Sequence, residues 1–187
     1  MSSDNRGNIL HQALELFAAR GYDAVSVQEI VEAAAVTKPT LYHYFGNKRG
    51  LLDALLNTYH GELYDAVQAA AEFQDNLVMN LRGIMQAYFA FALQHPTFYQ
   101  YQLSMQYAPP DSAAHQAIAD CNQRLFEVIH TLFAQALPHM QGRHRRYAVS
   151  FIGMVDTYIT LVLNGHTQYN AQLVYDAVHQ FMHGIYS

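Results

Sequence analysis

The spacing of apolar residues constrains this chain more than any other feature of its sequence. Apolar side chains recur every three or four residues along most of the chain, and no convincing run alternates with a period of two. A period near 3.6 places such residues on one face of an α-helix, whereas half-buried strands need a period of two. We therefore predict an all-α protein with about nine helices in its 187 residues.

The composition excludes several classes of protein. Ten Lys+Arg against 15 Asp+Glu give a net charge of −5, which excludes a globally basic nucleic-acid coat but allows a local basic patch. The single cysteine, Cys121, excludes an intrachain disulfide and a thiolate-rich zinc site. The polar first residues do not resemble a signal peptide, and residues 148–163 are interrupted by Ser150 and Asp156. We expect a cytoplasmic protein that does not enter the membrane, because residues 148–163 look too short and too polar for a span.

Helix-capping residues divide the first fifty residues into short helices. An apolar stripe over residues 9–17 ends at Gly21, and Ser26 with Glu29 forms a capping box at the start of a second helix. Thr37 can cap a third helix that has Pro39 in its first turn. Two short helices joined by a tight turn predict a helix-turn-helix, in which the second helix reads DNA.

Longer helices are predicted in the rest of the chain. Asn47 can cap a fourth helix, and five more are expected at residues 75–94, 96–106, 112–137, 143–164 and 171–186. The predicted organisation is an N-terminal three-helix helix-turn-helix DNA-binding domain at residues 1–50. A larger helical ligand-binding and dimerisation domain follows at residues 51–187.

Basic residues concentrate around the predicted reading helix. Lys38, His43, Lys48 and Arg49 lie between residues 33 and 52, a stretch that contains no acidic residue. Lys48 and Arg49 oppose the dipole of the fourth helix, and their placement makes sense if a phosphate docks at that helix N-terminus. The alternative is a solvated basic turn.

The same segment resembles the tetracycline-repressor (TetR) family over about residues 6–56. The motifs that carry the resemblance are Ile9-Leu-His-Gln-Ala-Leu-Glu-Leu-Phe17, Gly21-Tyr22, Ser26-Val-Gln-Glu-Ile30, Ala34-Ala-Val-Thr37, Leu41-Tyr-His-Tyr-Phe45, Lys48 and Leu51-Leu52. The family usually has glycine in the turn between the two motif helices, where this chain has Ala35. If that position needs a positive φ, alanine is strained there.

The resemblance implies a homodimeric, ligand-responsive transcriptional regulator, most often a repressor that a small molecule releases from its operator. It implies no catalytic residues and no cofactor. The residues that it assigns to DNA are Ser26, Thr37, Lys38, Pro39, Thr40, Tyr42, His43 and Lys48. Thr37, Tyr42, Lys48 and Ser26 would contact the phosphate backbone, and Lys38 can donate to guanine acceptors. Tyr42 as a half-buried aromatic and His43 as a solvent-exposed residue are the alternatives.

Two of the predicted helices have more apolar surface than one partner helix can cover. The eighth helix has two apolar stripes, and Val174, Val178, Phe181 and Ile185 continue the pattern in the last helix. This pattern indicates a homodimer formed through the last two helices, which is also the family's usual interface. Complete burial inside a monomer is the alternative.

Aromatic and methionine side chains in the middle helices predict a ligand pocket. The candidates are Tyr88, Phe91, Tyr101, Met105, Tyr107, Phe126, Phe151, Met154 and Tyr158. Such residues line pockets for apolar ligands, although each can equally belong to the core. Asp156 is either a counter-ion for an effector or a residue that faces solvent or the dimer seam. His179 and His183 have metal-compatible spacing but no third ligand, so we predict no metal site.

Two other classes of function fit the sequence less well. An enzyme is disfavoured because the sequence has no GxSxG, P-loop or HExxH motif. A plain dimerisation scaffold would leave the acid-free basic stretch unexplained. The predicted partners are therefore double-stranded DNA, a small-molecule effector and a second copy of the chain.

Overall fold

The computed structural model describes residues 2–184, with side chains from residue 5 onward. This part of the chain consists of nine α-helices and contains no strand. The prediction of an all-α protein with about nine helices is confirmed. The helices are α1 (Ser2–Arg20), α2 (Val27–Ala33), α3 (Lys38–Phe45), α4 (Lys48–Ala70), α5 (Leu77–Gln94), α6 (Pro96–Gln106), α7 (Ala113–Ala136), α8 (His144–Leu163) and α9 (Ala171–His183).

The helix boundaries follow the local capping chemistry. Asn47 Oδ1 accepts from the backbone N–H of Gly50 at 2.9 Å, which satisfies one of the free donors at the start of α4. Asn76 and Asn170 cap α5 and α9 in the same way. α6 has the predicted bounds, whereas α7 and α8 each begin and end one residue inside the predicted ones. The predicted end of the last helix, residue 186, lies outside the described residues.

The chain separates into two compact units that do not follow chain order. The first unit consists of Met1–Gly61 and Thr97–Cys121, and the second of Glu62–Pro96 and Asn122–Ser187. α4 and α7 therefore contribute residues to both units. Because these units are defined by packing, the functional division after residue 50 stays a prediction.

The core of the first unit fixes the N-terminal helices against one another. Ile9, Ala13 and Phe17 form the buried stripe of α1, and Leu41 anchors α3 in the same unit. α1 contacts both α2 and α3, and α2 contacts α3. Burial of each apolar side chain contributes about 1.5–3 kcal/mol, so this core rather than intrinsic helix propensity holds the two short helices in place.

The second unit has an aromatic core beneath α8 and α9. The rings of Phe133, Phe151 and Phe181 form a cluster, in which Phe151 and Phe181 have centroids 5.4 Å apart. α8 is long and apolar enough to cross a membrane by length and composition, so the expectation that this region is too short and too polar was wrong on those criteria. A core helix satisfies the same criteria, and Phe151, Val155 and Ile159 are fully buried within the second unit.

Candidate nucleic-acid interface

The turn between α2 and α3 is a Schellman motif with alanine in the left-handed position. The N–H of Val36 donates to the carbonyl of Val31 at 2.9 Å, and the N–H of Ala35 donates to Glu32 at 3.2 Å. Ala35 has a φ of 51°, a conformation that glycine adopts without steric cost. The position therefore has the positive φ under which the sequence analysis expects alanine to be strained.

α3 is held by one buried face and presents the other to solvent. Leu41 and Phe45 are buried, and Thr37 caps the helix by accepting from the N–H of Thr40 at 3.4 Å. The predicted DNA-contacting residues of α3 are more accessible. Lys38, Pro39, Tyr42 and His43 are exposed, and Thr40 is half-buried beside Thr37, with the two hydroxyl oxygens 2.9 Å apart.

Ser26 is committed to capping α2. Its side-chain oxygen accepts from the N–H of Glu29 at 3.2 Å and its hydroxyl donates to Glu29 Oε2 at 2.7 Å, so the predicted capping box is confirmed. The N–H of Ser26 and the Arg20 guanidinium also donate to the Glu29 carboxylate. These bonds lower the pKa of Glu29 to about 2. The predicted phosphate contact of Ser26 stays a prediction.

Both cations at the start of α4 have partners inside the first unit. Lys48 Nζ lies 4.2 Å from the ring centroid of Tyr22 and 5.9 Å from that of Phe17. Partial burial lowers the pKa of Lys48, with the Asp23 charge acting in the opposite direction. Arg49 Nε forms an ion pair with Asp53 at 2.8 Å. The phosphate contact predicted for Lys48 therefore stays a prediction, and Lys38 is the exposed cation on α3 itself.

The nine residues predicted to line one ligand pocket are divided between the two units. Tyr101 and Met105 are buried in the first unit, where Tyr107 is 80% exposed. In the second unit the side chains of Tyr88, Phe91 and Phe151 are buried and those of Phe126, Met154 and Tyr158 are half-buried. Burial raises the pKa of the Tyr88 hydroxyl, with a smaller contribution from the Asp156 carboxylate. The single-pocket assignment stays a prediction.

A groove in the second unit was missed by the sequence reasoning. It has a volume of about 820 Å³ and lies between the last turns of α4 and the middle of α7. The Arg124 guanidinium stacks over the Tyr64 ring at 4.4 Å, and Gln68, Glu127 and Leu132 complete its walls with their neighbours. None of the nine predicted pocket residues lines it. No sequence pattern connects Tyr64 to Arg124, so only the folded chain could reveal this groove.

Comparison with known proteins identifies relatives of the N-terminal segment and of a larger part of the chain. The pattern of bacterial regulatory proteins of the tetR family matches residues 9–55. The transcriptional activator FasR of Mycolicibacterium smegmatis is 31% identical over 129 residues, which are 67% of this chain and 59% of that protein. The transcriptional repressor KstR2 of Mycobacterium tuberculosis is 30% identical over 93 residues, 50% of this chain and 46% of that protein. The chain thus spans about half the length of these curated relatives.

The fold extends the similarity to almost the whole chain. The transcriptional regulator FadR of Bacillus subtilis, solved in complex with stearoyl-CoA, superposes with a TM-score of 0.78. The match covers 95% of this chain and 98% of FadR at 19% sequence identity. At that identity the likeness concerns the fold alone.

Proposed function

Because the chain belongs to the tetR family of bacterial regulatory proteins, we propose that it is a ligand-responsive transcriptional repressor. In this proposal it acts in the cytoplasm, binds a near-palindromic operator as a homodimer and leaves the operator when a small molecule binds. The family is one of regulators rather than enzymes.

The exposed face of α3 is the observation that carries the proposal. Leu41 and Phe45 are buried and anchor the helix, whereas Lys38, Pro39 and Tyr42 are exposed. Residues 33–52 contain no acidic residue, in a chain whose net charge is −5. A short, firmly anchored helix with a basic outer face suits insertion into the major groove, where Lys38 would donate to guanine.

Operator binding can be tested by selecting preferred sequences from random duplex DNA and measuring the affinity of Lys38→Ala. A lost base contact costs about 1–3 kcal/mol, so the variant should bind the selected operator about 5- to 150-fold more weakly and discriminate less at one position. Arg146→Ala is a matched control, because Arg146 is an equally charged, exposed residue of α8. Equal affinities of the wild type and Lys38→Ala would contradict the assignment.

Exposed apolar residues of α8 and α9 support the homodimer. Val149, Leu161 and Tyr175 are 55%, 36% and 43% exposed, although their helices supply the buried core of the second unit. Two copies could cover this surface together and place their α3 helices about 34–36 Å apart, one turn of DNA. Sedimentation should show a dimer for the wild type and a monomer for Leu161→Lys, whereas a monomeric wild type would refute the interface.

The groove between α4 and α7 is our proposed entrance for the effector. Its volume of about 820 Å³ is within the range of small-molecule sites, and Arg124 offers a cation for an anionic head group. Since FadR binds stearoyl-CoA, a long-chain acyl-CoA is the effector class we propose. The members of the predicted set that lie in the second unit remain proposed contacts for its apolar part: Tyr88, Phe91, Phe126, Phe151, Met154 and Tyr158.

Calorimetric titration with stearoyl-CoA tests this assignment. Arg124→Ala should weaken binding about 10- to 150-fold, because a charge-assisted hydrogen bond contributes about 1.5–3 kcal/mol, and Arg146→Ala should bind like the wild type. Stearoyl-CoA should also release the wild-type protein from its operator. Equal affinities of the wild type and Arg124→Ala for stearoyl-CoA would refute the groove as the binding site. No binding of stearoyl-CoA to the wild type would refute acyl-CoA as the effector class.

A further inference from the structure

Two contacts place the beginning of α1 beside the helix-turn-helix. The side-chain amide of Asn8 donates to the carbonyl of Ala34, the C-cap residue of α2, at 2.8 Å. The guanidinium carbon of Arg6 lies over the ring of Phe45, the last residue of α3, at 5.7 Å from the ring centroid. All four residues belong to the first unit. The Arg6 side chain is therefore held next to the end of α3.

Arg6 is one of two exposed cations of the amino-terminal helices that form no ion pair. Residues 5–61 contain five Lys and Arg side chains. Three of these five have partners within the first unit, two in ion pairs and one over aromatic rings: Arg20, Arg49 and Lys48. Lys38 and Arg6 are exposed and form no ion pair with another described residue. Both are therefore available to an anion outside the unit.

The surroundings of Arg6 favour such an anion. Residues 5–14 and residues 33–52 contain no acidic residue, and the contacts of Asn8 and Arg6 bring these two stretches together. The Phe45 ring has no strong hydrogen-bond acceptor, so the N–H groups of the Arg6 guanidinium remain free to donate. A guanidinium presents these donors in a planar fork that matches the oxygens of a phosphate.

We propose that Arg6 contacts the phosphate backbone of DNA beside the groove that α3 enters, an assignment that rests on the proposed function. In a helix-turn-helix, the first residues of the reading helix contact the base edges. Lys38 begins α3, whereas Arg6 lies beside Phe45 at its other end. Arg6 would therefore orient the protein on the duplex and strengthen binding without reading the sequence, which is the role of phosphate contacts.

DNA binding of the full-length protein across a range of salt concentrations tests this assignment. Arg6→Met keeps an apolar chain beside the Phe45 ring and removes the charge. Each bound subunit then loses one phosphate contact, so the slope of log affinity against log salt should fall by about 1 per subunit. The variant should bind at least about tenfold more weakly than the wild type at about 50 mM salt. For two bound subunits, the ratio of the two affinities should fall about tenfold by about 200 mM salt.

Two duplexes distinguish a phosphate contact from a base contact: the selected operator and an unrelated sequence of the same length. Arg6→Met should weaken both complexes by a similar factor, whereas Lys38→Ala should weaken the operator complex selectively. Arg6→Lys keeps the positive charge and should keep most of the salt dependence. Arg146→Met makes the same change at an exposed residue of α8 and should bind like the wild type. Because the Arg6 side chain is exposed, its variants should fold like the wild type.

The outcomes separate this assignment from the DNA-binding proposal on which it rests. If the wild type binds DNA and Arg6→Met has the same affinity and salt slope, the role of Arg6 is refuted and the DNA-binding proposal stands. A loss confined to the selected operator would refute the phosphate contact in favour of a base contact. No binding of the wild type to either duplex would refute both.

Discussion

Replacing Ala35 by glycine should stabilise the protein, although it removes a methyl group. Ala35 has a φ of 51°, and an L-residue in the left-handed region costs about 1–2 kcal/mol. Glycine relieves this strain but adds conformational freedom to the unfolded chain, which costs about 0.5–1 kcal/mol relative to alanine. The net gain should therefore be about 0.5–1 kcal/mol.

Ala33→Gly is a control that isolates the strain of the left-handed backbone conformation at position 35. Ala33 is also exposed and lies only two residues away, but it is the last residue of α2 and has ordinary helical geometry. Its replacement should cost about 0.5–1 kcal/mol. Because both variants change alanine to glycine, the unfolded-state contribution cancels in their difference, which should be about 1–2 kcal/mol.

Urea unfolding of the wild type and both variants, followed by circular dichroism, measures this difference. A stabilisation of 1 kcal/mol should also raise the melting temperature by about 2–4 °C in a chain of this size. The reasoning would be refuted if both variants moved the urea midpoint in the same direction by similar amounts. Unchanged m-values are needed for the comparison, since a changed slope would indicate a different denatured state.

Three further predictions test the capping box, the α4 cations and the aromatic core. The pKa of Glu29 is lowered in the folded state, so its stabilising effect is present above its ordinary pKa of 4.5 and is lost as the pH falls towards 2. Unfolding midpoints measured across that range should fall more steeply for the wild type than for Glu29→Gln, and parallel curves would contradict this origin. Lys48→Ala should destabilise the protein by about 0.5–1 kcal/mol through loss of its ring contacts, whereas Lys38→Ala should leave the melting temperature unchanged. A Lys48→Ala variant as stable as the wild type would show that these contacts contribute little. Phe151→Ala should cost about 3–5 kcal/mol in urea unfolding, because Phe151 is fully buried in the aromatic cluster, and a loss below about 1 kcal/mol would argue for a pocket wall instead.

Local chemistry made the N-terminal helices predictable from sequence. Ser26, Glu29 and Thr37 act on backbone groups within three residues of themselves, so their roles do not depend on the rest of the fold. The resemblance to a family that usually has glycine at position 35 raised the question of a positive φ there, and the structure supplies the value of 51°. The helical period likewise identified the buried side of α1, residues 9–17.

Long-range packing could not be predicted in the same way. Periodicity shows which face of a helix is buried but not which helix covers it, so Tyr101, Tyr88 and Phe151 were grouped although they belong to different units. Tyr107 lies one residue beyond the end of α6, and its exposure follows from that boundary. The aromatic partners of Lys48 and Arg6 also depend on contacts distant in sequence, which no local pattern encodes.

Because α6 belongs to the first unit, the protein cannot be divided into an amino-terminal fragment and a remainder without separating aromatic side chains that pack together. Tyr59 stacks on Phe98 at 4.7 Å and Phe17 on Tyr101, so the amino-terminal helices share aromatic pairs with a segment that begins at residue 97. A fragment that stops at residue 61 would leave Phe17 and Tyr59 facing water. A chimera that joins the amino-terminal helices to the ligand-binding domain of another protein must therefore keep residues 97–121, or provide aromatic side chains that pack on Phe17 and Tyr59 in their place.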